Sequence, residues 1–318
     1  MHQQHILVPL DGSTFSETIL PHAVALAHAT HSALYLFRVL EPIYEPIYGA
    51  LGISEKQEAE QLARLYEAQL ASIHDYLSNI ARQLRAEGLE VLTEVVEGIN
   101  PAAQIVTRVE QGPSPLLIAM ATHGRSGVLR WLFGSVVAEV VQAIQMPLLL
   151  FRPHQDTSPY STVHPKAVTY QTVVVPLDGS SFAEHALEQA HLLALAMNVT
   201  LLLVSVLPPP NDETMQKDIE STSLLRALQQ TETERRITYL EQKAEPLRRQ
   251  GVVVQTHVTT GRPAEEILHF STQHTLLVIT IHGHVRLRRL FLGSVAMKIV
   301  QGAHGPVLLT RGNQSHVS

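Results

Sequence analysis

The sequence repeats itself, and this limits the possible folds more than any other feature. His5-Ile6-Leu7-Val8-Pro9-Leu10-Asp11-Gly12-Ser13 returns as Thr172-Val173-Val174-Val175-Pro176-Leu177-Asp178-Gly179-Ser180. Phe15, Glu17 and Leu20 then match Phe182, Glu184 and Leu187 at the same separation. Further on, His123-Gly124 returns as His282-Gly283, Gly134-Ser135-Val136 as Gly293-Ser294-Val295, and Pro147 as Pro306. A period of about 150 residues is too long for a solenoid unit and fits a domain. The reading is therefore two domains, 1–154 and 169–318, joined by a linker over 155–168. Pro153, Pro159 and Pro165 punctuate 152–166, around that linker, and no apolar period is sustained through it.

Within each copy, short apolar runs alternate with helical patterns, which predicts a parallel sheet covered on both faces. In the first copy strands are expected near 6–9, 33–39, 90–96, 116–120 and 148–151, and helices over 16–29, 55–86, 102–110 and 135–143. In the second copy strands are expected near 172–175, 200–206, 252–257, 276–279 and 307–309. The long helical interval after each second strand is a candidate for a break. The segments 41–52 and 208–211, rich in proline, read as loops at the carboxyl ends of strands, where open parallel sheets bind ligands.

Composition narrows the chemistry. With no cysteine, disulfides, thiolate metal sites and a cysteine nucleophile are excluded. The 23 Lys and Arg against 29 Asp and Glu give a net charge of -6, and no aromatic-studded basic surface is evident, so nucleic acid is not an expected partner. No stretch approaches the roughly 20 apolar residues of a membrane span. Met1-His2-Gln3-Gln4-His5 runs directly into the first strand with no leader pattern, so a cytoplasmic protein is expected.

Two segments carry chemistry. Ala121-Thr122-His123-Gly124, nine residues, then Gly134-Ser135-Val136 is repeated as Thr280-Ile281-His282-Gly283, nine residues, then Gly293-Ser294-Val295. Each follows an apolar strand and enters a helix, so glycines allow close approach while helix-start amides and the Ser135 or Ser294 hydroxyl face phosphate oxygens. Asp11 and Asp178, after the first strand of each copy, can accept hydrogen bonds from a ribose or orient a hydrated metal. The alternative is structural: the serines cap the following helices, and each aspartate closes its own Asp-Gly-Ser turn. There is no lysine of a Walker loop and no early dinucleotide fingerprint. The 18 histidines, His123, His282 and His284 among them, form no closed zinc pattern. Arg125, Arg130, Arg286, Arg288 and Arg289 lie in the nine-residue connections, as a charged flap or as phosphate attractors. His123 and Ser135 lack the third member of a catalytic triad, so no catalytic residue is assigned.

Taken together, the Val-Pro-Leu-Asp-Gly-Ser opening, the five-strand order and the late glycine segment resemble the universal stress protein family, in a tandem arrangement. The resemblance implies two five-stranded, doubly wound domains of the adenine nucleotide α-hydrolase-like class that bind ATP or AMP, with magnesium when ATP is bound. It implies a stress-response or regulatory role without fast dedicated catalysis, slow hydrolysis remaining open. In nucleotide-binding members the late pattern begins with a glycine, and here that position is Ala121 or Thr280. The family's second glycine falls on Gly124 and Gly283, and its final pair on Gly134-Ser135 and Gly293-Ser294. The adenine is expected near Val39 or Val206. The alternative function is a structural or protein-interaction module without nucleotide, a pseudo-dimer within one chain whose strands ending at Leu150 and Leu309 pair with each other.

Overall fold

The structure, a computed structural model of the chain, describes residues 4–42, 55–122, 133–153, 167–209, 219–281 and 292–312. The first repeat runs β1 (His5–Pro9), α1 (Thr14–Glu17), α2 (Leu20–Thr30), β2 (Ala33–Leu40), α3 (Glu55–Ala86), β3 (Val91–Glu97), α4 (Pro101–Gln111), β4 (Leu117–Ala121), α5 (Ser135–Ala143) and β5 (Leu148–Phe151). The second runs β6 (Thr172–Pro176), α6 (Ser181–Glu184), α7 (Ala186–Met197), β7 (Thr200–Leu207), α8 (Ile219–Arg249), β8 (Val254–Thr260), α9 (Pro263–Leu268), β9 (Thr275–Ile281), α10 (Ser294–Gly302) and β10 (Val307–Arg311).

Contacts divide the chain into two compact units, 1–144 with 158–167, and 145–157 with 168–318. In the first unit β1 pairs in parallel with both β2 and β4, and β2 with β3. In the second, β6 pairs in parallel with β7 and β9, β7 with β8, and β9 with β10. The strand β5, although it closes the first repeat in sequence, belongs to the second unit. It runs antiparallel to β10, with Leu149 opposite Leu308, as expected for the strands ending at Leu150 and Leu309.

The central strands are apolar on both faces because helices cover both. Every residue of β4 is buried, as are Ile6, Leu7 and Val8 of β1. Ile73, Leu77, Ile80, Ala81 and Leu84 recur at helical spacing along α3 and are buried where it packs on β2 and β3. The considered break is absent: α3 and α8 are continuous, and Pro246 lies in the last turn of α8. The expected single helix over 16–29 is instead two pieces. Pro21 has no amide hydrogen to give the preceding turn, and it sits in the first turn of the second piece. The second repeat breaks at the same place without proline, where His185 Nδ1 meets the Phe182 carbonyl at 3.1 Å.

Candidate functional site

The Asp-Gly-Ser turn is built on the same three hydrogen bonds in both units. Asp11 Oδ1 accepts the Ser13 amide at 2.9 Å and the Ser13 hydroxyl, while Ser13 Oγ accepts the Ser16 amide at 3.1 Å and so caps α1. Asp178 Oδ1 accepts the Ser180 amide at 2.9 Å and hydroxyl at 2.6 Å, and Ser180 Oγ accepts the Ala183 amide at 3.2 Å. Between aspartate and serine, Gly12 and Gly179 have φ of 76° and 90°, which glycine alone adopts freely. The structural reading of the aspartates therefore holds, and it also fixes where their carboxylates stand. Burial opposes the charge on Asp178, but the Ser180 bonds and the Arg236 guanidinium outweigh it and hold the carboxyl below its ordinary value.

In the first unit this turn forms one wall of a cavity of about 330 Å³ at the carboxyl edge of the sheet. Of the residues singled out from sequence, Asp11, Val39, Ala121, Gly134, Ser135 and Val136 line it together. They arrive from the end of β1, from β2, from the end of β4 and from the start of α5. The Gly134 amide donates to the Thr122 carbonyl at 2.8 Å, tying the helix start to the strand end. Gly124 and Gly283 lie outside the described residues, as do His123, His282, His284 and the arginines of the two connections. Sequence reasoning missed Phe37, Arg38, Glu41, Ile105 and Met120, which also line the cavity. Arg38 alone left a signal: it is the single charge in an otherwise apolar strand.

The helix starts correct the capping alternative. Gly134 and Gly293 occupy the cap positions with no side-chain capping bond, and Ser135 and Ser294 are the first helical residues. Neither serine therefore caps its helix. The two glycines differ in backbone. Gly134 has φ −63° and ψ 160°, open to any residue, whereas Gly293 has φ 74° and ψ 149°, a region closed to side chains. Gly293→Ala is expected to cost about 1–3 kcal/mol and Gly134→Ala well under 1 kcal/mol, measured by urea unfolding of each variant. Equal losses would contradict the two conformations.

In the second unit the Thr280 hydroxyl is engaged by the protein, 3.4 Å from the Ala183 carbonyl and 3.3 Å from Thr310 Oγ1. Val206 is half-buried on β7, while Ser294 and Val295 are exposed. No group of three or more His, Asp or Glu able to hold a metal occurs among the described residues. No helix among them is long and apolar enough to cross a membrane.

A parallel α/β sheet whose first strand ends in an aspartate turn, built twice along one chain, defines the class of protein. The sequence profile of the Universal stress protein family matches residues 3–152 and again 169–311, and the chain belongs to that family. It is 26% identical to a universal stress protein of Mycobacterium tuberculosis over 321 aligned residues, covering 96% of this chain and 94% of the relative. It is 28% identical to one from Methanocaldococcus jannaschii, over 46% of this chain and 81% of that one. The crystal structure of a universal stress protein from Archaeoglobus fulgidus covers 98% of this chain and 99% of its own, with a TM-score of 0.63 at 18% identity. That likeness concerns the fold.

Proposed function

We propose that the chain is a cytoplasmic adenine-nucleotide sensor, holding ATP or AMP in the first unit and regulating a protein partner rather than turning substrate over. The single observation that carries this reading is the convergence of Asp11, Val39, Ala121, Gly134 and Ser135 on one cavity. The free amides of the first turn of α5 suit phosphate oxygens. The Asp11 carboxylate suits ribose hydroxyls, and the Val39 backbone suits the base. Asp11 and Glu41 place negative charge in the same cavity, so magnesium would accompany a polyphosphate there and lessen the repulsion. The repeats for this reading are 1–154 and 169–318, joined by a linker over 155–168, with β5 packing in the second unit.

Native mass spectrometry of the gently purified chain, repeated after addition of ATP, AMP and magnesium, tests the reading. The expected result is at least one adenine nucleotide per chain, lost in Gly134→Val, which adds a branched side chain at the cavity wall without backbone strain. A chain that stays bare at millimolar nucleotide would sink the proposal. The second reading, an interaction module without nucleotide, has one observation in its favour for the second unit. There the residue at the family's first glycine position, Thr280, turns its hydroxyl to Ala183 and Thr310.

A further inference from the structure

Each repeat keeps a guanidinium beside its aspartate turn, but the two come from positions that do not correspond. In the first unit Arg38 lies on β2 and is only 7% exposed. Its Nη1 donates to the Leu10 carbonyl at 3.3 Å, directly before Asp11. The matching residue of β7 is Ser205, whose hydroxyl donates to the matching carbonyl, that of Leu177, at 2.8 Å. The serine replaces the hydrogen bond and loses the charge. The charge is supplied instead from α8, where Arg236 Nη1 reaches the Asp178 carbonyl at 2.5 Å and Ser205 Oγ at 3.4 Å.

The long helices can be set in register independently. Gly88 and Gly251 each donate to the carbonyl three residues back, on Arg85 and Arg248, at 3.0 Å. In that register Tyr76 matches Tyr239. Tyr239 donates to Glu184 at 3.0 Å, and the Tyr76 phenol is pushed up chiefly by burial, with Glu17, Arg38 and Asp11 acting on it as well. Arg236 then matches Ile73, which is buried in the first unit. The pairs Arg38/Ser205 and Ile73/Arg236 thus exchange a cation between strand and helix while it stays beside the aspartate turn, on the Leu10 carbonyl in one unit and the Asp178 carbonyl in the other. Hydrogen bonding to the strand end does not itself require a charge, because Ser205 satisfies the Leu177 carbonyl with a hydroxyl, while Arg236 binds the next carbonyl, that of Asp178. Burying a guanidinium, as at Arg38, is unfavourable unless its charge serves something, whereas Arg236 is partly exposed and paired to Glu232.

We propose that this guanidinium is a working part of the ligand site of the first unit, where Arg38 lines the cavity, and that Arg236 keeps the same charge at the turn of the second. It holds the aspartate turn and offsets the carboxylate's charge, so that the turn accepts ribose hydroxyls from a phosphorylated nucleoside without repelling the phosphates. The inference rests on the nucleotide reading and adds to it a requirement that the ligand be anionic. Arg38 and Arg236 are positioning residues, acting through Asp11 and Asp178. Among the described residues, Glu184, Tyr239 and Lys243 are also charged or titratable near the second turn, with Glu232 paired to Arg236 at 3.2 Å.

Calorimetry on the full chain, with ATP and with adenosine, compares wild type, Arg38→Ser and the transfer variant Arg38→Ser/Ile73→Arg. Arg38→Ser is expected to weaken ATP about tenfold and adenosine less than about twofold. The transfer variant is expected to return ATP to within about threefold of wild type. An equal loss for both ligands, or a folded transfer variant without recovery, overturns the proposal. If Arg38→Ser does not fold, Arg236→Gln on the partly exposed face of α8 takes its place, read by carbon NMR of the Asp178 carboxyl. Its titration is expected to move upward, and an unmoved titration overturns the proposal. Wild type that binds neither ATP nor adenosine defeats the nucleotide reading. The Asp178 titration then decides separately whether the guanidinium acts on the turn.

Discussion

Phe37→Ala is expected to destabilise the first unit by about 3–5 kcal/mol, the range for emptying a fully packed aromatic site. Phe37 is 1% exposed, lies opposite Pro9 in the β1–β2 register and also lines the cavity. Its backbone carbonyl accepts the Leu10 amide at 2.9 Å, one residue before Asp11. The substitution leaves that carbonyl in place and removes the ring beneath it, so packing is lost before the backbone geometry of the turn. Urea unfolding followed by circular dichroism measures the loss. A change below about 1 kcal/mol would mean that the ring does not fill the space between the sheet and the cavity.

Acid is expected to unfold the first unit partly through His22. This side chain, on α2, is 4% exposed, and burial lowers its pKa from 6.5 to about 4. Above pH 6.5 the ring is neutral both folded and unfolded and contributes nothing to pH dependence. As pH falls below 6.5 the unfolded chain takes up the proton first, so stability declines by about 1.4 kcal/mol per pH unit. The decline levels off once the folded ring also protonates, near pH 4. Across that window the cost is roughly 3 kcal/mol. The second repeat carries Gln189 at the matching place, and His22→Gln should remove this component of the pH profile. Carboxylates such as Asp178 add their own loss at lower pH, because their folded values are depressed, so the difference between wild type and variant isolates the histidine. Parallel profiles from pH 7 to pH 4 would show that the ring is not held neutral.

Much of the architecture was legible because parallel strands buried on both faces leave uninterrupted apolar runs. The strand β5 and the helices α3 and α5 have the bounds expected from sequence. The break between α1 and α2 was not legible, since in the second repeat it depends on how His185 turns back onto Phe182 and not on a proline. Six candidate residues of the first repeat meet in the cavity because they sit at strand ends and a helix start, positions that a parallel sheet brings to one edge. Arg38 escaped notice because a lone charge in a strand reads as an exposed face, and only the three-dimensional register shows it against the Leu10 carbonyl, just before Asp11. Gly134-Ser135-Val136 and Gly293-Ser294-Val295 are the same three residues, yet their glycines take opposite signs of φ. Identical local sequence leaves that choice to the surroundings.

The placement of β5 separates two kinds of boundary. Heredity copied a segment that ends after β5, since Pro147 and the strand behind it have their counterparts at Pro306 and β10. Packing draws its line earlier, after Ile144, and gives β5 to the later unit. A cut through the linker would therefore respect ancestry and still strip the second unit of the strand that covers the Val307–Leu309 edge of β10. The module that was duplicated and the module that holds together are offset by one strand, so the halves of this chain cannot be exchanged as cassettes at the seam their sequences suggest.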